Sequence, residues 1–147
     1  MKSDANSDST LQDELDAILL NLSSGQFEKV LIEANRILPS TRERLDRATC
    51  EFAIGAALKE LGERDKAISH FLEAEISFPT NQPFLLGHAQ FEISLIQYQN
   101  GLNVSALAFS EKAIINFSLL EEQAGTAEMK MECAKLRDQI LSELKNL

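Results

Sequence analysis

"GERDKAISHFLEAEISFP", residues 62–79, sets a glycine, two alanines and a proline at fixed offsets in a run otherwise made of helix formers. Gly62 can take the left-handed conformation that closes a preceding helix, and Pro79 cannot continue the helix that follows. Between them Ala67, Ile68, Phe71, Leu72 and Ala74 recur at three- and four-residue steps, which puts them on one face. The stretch predicts an amphipathic helix bounded by two turns. Ala67 and Ala74 keep its inner face low enough for another helix to approach closely.

The same grammar extends in both directions. Upstream, Ser9 and Gln12 have capping-box spacing ahead of Leu11, Leu15, Ile18, Leu19 and Leu22. Gly25 ends that helix, and a second runs through Phe27, Val30, Leu31, Ala34 and Leu38 to Pro39. Ser40 and Glu43 form a further capping box, opening a third helix through Leu45, Ala48, Phe52, Ile54, Leu58 and Leu61. Downstream, Asn81 is the expected cap of a fifth helix that tolerates Pro83 in its first turn and carries Phe84, Leu85, Phe91, Leu95 and Tyr98. Asn103 is the expected cap of a sixth, and after "QAGT" Met129, Cys133, Leu136, Ile140 and Leu144 make the stripe of a seventh.

No segment alternates as a strand, so the fold class is all-α, with about seven helices and sequential neighbours antiparallel across short turns. Residues 1–9 have almost nothing to bury and read as a disordered arm, leaving 10–147 as one domain.

Composition narrows the function classes. Hydrophobic residues make up 44% and charged residues 25%, as in ordinary globular proteins. A net charge of -9 repels phosphate backbones and anionic lipid, so neither nucleic acid nor membrane is an expected partner. The start "MKSDANSDST" lacks the apolar core of a secretory signal, which with two cysteines in no CxxC spacing points to a cytoplasmic protein with reduced, packing thiols. His70 and His88 fall on different predicted hairpins, with no nucleophile, metal-ligand or phosphate-loop pattern beside either. His70 reads as an exposed helix residue. The expectation is a non-enzyme without a cofactor or metal.

Gly25, Gly62 and Gly101 recur at intervals of 37 and 39 residues, each between two amphipathic helices, and such a period signals a helical repeat array. Within residues 48–79, Ile54, Gly55, Leu58, Gly62, Ala67, Phe71, Ala74 and Pro79 stand at the offsets of the tetratricopeptide repeat, and the chain resembles that family. The resemblance implies a right-handed α-solenoid of antiparallel helix hairpins, with repeats at about 11–44, 48–81 and 87–120 and a capping helix at about 126–146. The flanking repeats diverge, since Ile18 and Ser94 replace the small first-helix residue and Ser110 replaces the aromatic. Both intervals also exceed the usual repeat of about 34 residues.

The resemblance further implies a concave groove lined by the first helix of each repeat. Its positions fall on Leu15, Leu19 and Leu22, on Phe52 and Lys59, and on His88, Phe91, Leu95 and Tyr98. This lining suits a partner helix or extended peptide with apolar anchors. It does not suit the acidic chaperone tails that some adaptors of the family hold, because Lys59 is the one clear cation among these positions. A small acidic chaperone masking apolar segments of a secreted client is the second class, and self-association stays open. Burial of the lining by the C-terminal helix would turn the same residues into core.

Overall fold

The computed structural model describes residues 3–120 and 125–146, with side chains from residue 10 onward. The described residues form seven α-helices and one 3-10 turn, with no strand among them. These are α1 (Ser3–Ser23), α2 (Phe27–Ile37), α3 (Arg44–Glu60), α4 (Arg64–Ser77), α5 (Pro83–Gln99), α6 (Asn103–Ser118) and α7 (Thr126–Lys145). They gather into two compact units, Met1–Ser77 and Phe78–Leu147. Charge placement fits the helix dipoles in three cases: Glu28 and Arg36 in α2, Asp46 and Lys59 in α3, Glu128 and Lys145 in α7 lie in the first and last turns respectively.

Three hairpins close in the same way. At the end of α3, Glu63 N–H donates to Leu58 O (2.8 Å) and Gly62 N–H to Lys59 O (3.0 Å), with Gly62 at φ 85°. This is the Schellman pattern, and the residue with positive φ must lack a Cβ clash, which selects glycine. The pattern recurs after α1, where Gln26 donates to Asn21 and Gly25 to Leu22, and after α5, where Leu102 donates to Gln97 and Gly101 to Tyr98.

The helix starts differ from the sequence expectation. Ser9 lies inside α1, which begins at Ser3. Ser40 does not cap α3; its hydroxyl donates to Ile37 O (2.8 Å) within the 3-10 turn Leu38–Ser40, and Glu43 precedes the first residue of α3 without a side-chain cap. Gln82 and Leu102, not Asn81 and Asn103, flank the starts of α5 and α6, while Pro83 does occupy the first turn of α5. Neither Gln82 nor Leu102 makes a side-chain cap, and Asn103 is already the first residue of α6. The turn expected at "QAGT" is described from Gly125, which takes φ 82° immediately before α7 begins at Thr126, while 121–124 lie outside the described residues.

Within the first unit, α3 and α4 meet where the small residue is needed. A Cβ on Gly55 would lie 3.0 Å from the Phe71 ring, and Phe71, Ala67 and Ala74 are fully buried. The residues equivalent to Gly55 and Phe71 in the α1–α2 hairpin are Ile18 and Ala34, both buried in one cluster with Leu15, Val30, Ile37, Ala53, Ile54 and Ala57. The bulk has changed sides: the first hairpin puts its large residue on the leading helix, the second on the following one.

In the second unit the equivalent pair is Ser94 and Ser110, both buried. Ser94 Oγ donates to Ala106 O across the crossing at 2.6 Å, so a buried hydroxyl is satisfied by the facing backbone. The glycine–aromatic contact is moved along the hairpin: a Cβ on Gly87 would lie 3.0 Å from Phe117. Gly87 precedes Ser94 by seven residues and Phe117 follows Ser110 by seven, which is two helical turns on each strand of the hairpin. The apolar stripe of α7 then packs on α5 and α6 through Cys133, Leu136 and Ile140.

Candidate interaction surface

The structure distributes the expected groove residues between core and surface, unit by unit. Leu15 is only 3% exposed and belongs to the core of the first unit, because its position on α1 faces Val30 and Ala34 of α2. Leu22 is half-buried against the same cluster. Leu19 is 41% exposed, and its neighbour Leu20, which the repeat pattern does not single out, is 65% exposed. Phe52 is half-buried with its ring edge-on to Phe71 at 5.4 Å, and Lys59 is half-buried near the end of α3. Exposed large apolar side chains of the first unit lie on the last turns of α1 and also at Ile32 on α2 and Ile76 on α4.

In the second unit α7 covers the expected lining. Phe91, Leu95 and Tyr98 pack against the cluster of Ala106, Leu136 and Ile140, and Tyr98 Oη donates to Glu143 Oε1 at 3.0 Å. Desolvation, with the Glu143 carboxylate beside it, raises the Tyr98 phenol above its usual value. These side chains are half-buried by the chain's own last helix, which narrows what remains for a partner.

His88 is also drawn inward. Its ring sits edge-on to Phe84 at 4.9 Å and to Phe117 at 5.7 Å, and burial lowers its pKa below 6.5. Below that pH the unfolded chain takes up a proton that the folded site resists, so stability should fall as pH drops from about 6.5 toward the folded value and be fully present above. Urea unfolding at about pH 7.5 and about pH 5.5 checks this. His88→Phe, which keeps a ring in the same space, should lose less stability across that interval than the parent protein.

His70 is not the exposed helix residue expected from the sequence. Its Nδ1 lies 3.0 Å from Glu51 Oε1, joining α4 to α3, with the Glu51 side chain 7% exposed and that of His70 31% exposed. A carboxylate on the inner face of α3 needs a donor, and the Nδ1–H of His70 supplies it. Sequence reasoning missed the pair because residues 19 apart carry no local pattern; a glutamate at an apolar-periodic position was the available signal. Chemically the pair orients an imidazole, but no third group of the His, Cys, Asp or Glu type completes a metal site with it among the described residues. Cys50 and Cys133 are both buried, and burial, with nearby carboxylates, pushes each thiol up to about 12, so both stay protonated.

No helix among the described residues is long and apolar enough to cross a membrane. No known family model and no curated protein matches this chain.

Proposed function

We propose that the chain is a tetratricopeptide-like protein-binding module that acts without catalysis, holding an apolar partner segment flanked by basic residues. The observation that carries this reading is the threefold recurrence of one Schellman turn, with the equivalent buried pair Ile18–Ala34, Gly55–Phe71 and Ser94–Ser110 behind each turn. A hairpin repeated with its packing positions conserved in place, but not in identity, suits an array whose task is to present surface.

Leu19 and Leu20 supply exposed apolar anchoring points at the end of α1, and half-buried Leu22, Phe52 and Lys59 belong to the same unit. The net charge of -9 favours a basic partner through faster encounter and rejection of acidic competitors. Two free, buried cysteines suit a reducing compartment, which supports a cytoplasmic role.

Panning a displayed peptide library tests the reading. Enriched sequences should combine apolar anchors with flanking Lys or Arg, and Leu19→Glu should weaken their binding by about tenfold or more while leaving helicity unchanged. Equal enrichment on the parent and the Leu19→Glu protein would remove this surface from consideration.

A further inference from the structure

Helix α7 packs on α5 and α6 as α3 packs on α1 and α2. Cys50, Ala53 and Ala57 of α3 share a cluster with residues of α1 and α2, and Cys133, Leu136 and Ile140 of α7, at the same offsets, pack against residues of α5 and α6. Carried along both helices, these offsets make Ala48, Glu51 and Gly55 equivalent to Met131, Ala134 and Asp138. The first three are buried, with Glu51 against His70 and Gly55 against Phe71, because α4 follows α3 and covers that face. On α7, by contrast, Met131 is 58% exposed, Asp138 is exposed and Ala134 is half-buried. The face that receives a following helix in the first unit lies open in the second.

The open face is complementary to itself. Ala127, Ala134 and Leu141 recur every seven residues along it, with Lys130 and Met131 in the first interval and Arg137 and Asp138 in the second. Two copies of α7 laid antiparallel across a two-fold axis at Ala134 would bring Ala134 against Ala134, where the small side chains allow close approach. Ala127 then lies opposite Leu141, and the shallow depression walled by Phe117, Ala127, Lys130 and Met131 gives that leucine a place. Lys130 lies opposite Asp138, four residues from the axis on either side. Asp138 already holds Arg137 at 3.1 Å, yet its side chain is 68% exposed and its carboxylate has acceptor capacity for a second cation.

We infer that this face of α7 is a homodimer interface, in which each α7 takes on its partner the place that α4 takes on α3. Charge favours a second copy over other occupants. Helix α7 carries four acidic residues, Glu128, Glu132, Asp138 and Glu143, and four basic ones, Lys130, Lys135, Arg137 and Lys145, so two copies of it meet without the repulsion of a chain at -9. Lys130 and Arg137 on the face also reject the basic segment proposed for the first unit, which keeps the two surfaces separate. A two-fold axis satisfies both copies with one patch.

Sedimentation velocity of the intact protein over a concentration series tests the inference. The parent should pass from monomer to dimer as concentration rises. Ala134→Glu, which sets two carboxylates against each other at the axis, should stay monomeric with unchanged helicity. Lys130→Glu should weaken the dimer by about tenfold, and adding Asp138→Lys to it should restore the parent affinity by reversing the pair. Leu19→Glu should dimerise like the parent, which distinguishes this interface from the peptide surface. A parent that is monomeric at every concentration would leave the face to a different chain and overturn the inference. A dimer that survives Ala134→Glu, a dimer lost with Leu19→Glu, or a charge reversal that Asp138→Lys does not repair would each overturn it as well.

Discussion

Phe71→Ala should lower the unfolding free energy by about 3–5 kcal/mol, a large share of the roughly 5–15 kcal/mol available to a chain of this kind. The ring is fully buried at the α3–α4 crossing, over a glycine that has no side chain to move into the vacated space. The Schellman turn at Gly62 ties the two helices at one end and limits their collapse. Urea denaturation reads the loss as a lower midpoint. A second substitution sharpens the test. Gly55→Ile alone should be destabilising, because its Cβ already meets the ring at 3.0 Å. In the Phe71→Ala background the same change rebuilds the Ile18–Ala34 arrangement of the first hairpin and should recover part of the loss. Purely additive costs would show that the two positions do not share one volume.

His70→Ala should be the second most damaging change, costing about 3 kcal/mol, because it leaves a carboxylate buried and without its donor. The side-chain exposure of Glu51, 7%, is too low for water to replace the imidazole fully. Removing both partners should be far milder: Glu51→Leu combined with His70→Leu is expected to cost under about 1 kcal/mol, since apolar groups of similar size carry no desolvation penalty. A thermodynamic cycle of the two single variants and the double variant measures this asymmetry. Equal costs for His70→Ala and the double variant would mean that Glu51 is solvated in spite of its position.

How far the sequence reaches depends on the distance over which each signal acts. The helices were legible because apolar spacing and glycine turns are local; Gly25, Gly62 and Gly101 mark the three hairpin closures directly. Helix starts were less legible, because Ser40 bonds backward to Ile37 and leaves Glu43 beside α3, a choice made by the 3-10 turn. The small residues signalled a close helix approach, and the Gly55–Phe71 contact is where it occurs. Gly87 went unread because its partner Phe117 is 30 residues away and two turns from the expected register. Of the two α1 leucines assigned to a groove on their spacing, Leu19 is exposed and Leu15 is buried. Spacing defines a face and does not say which helix will cover it. The same reason applies to Phe91, Leu95 and Tyr98, whose cover is α7.

The exchange of bulk between the hairpins also acts as an address. If α1 docked on α4 during folding, Ile18 would meet Phe71 in a space sized for one of them. If α3 took the place of α1 against α2, Gly55 would face Ala34 across a void. Each wrong pairing carries a penalty, by crowding in one case and by emptiness in the other, so neighbouring repeats of similar outline remain distinguishable to the chain that must sort them.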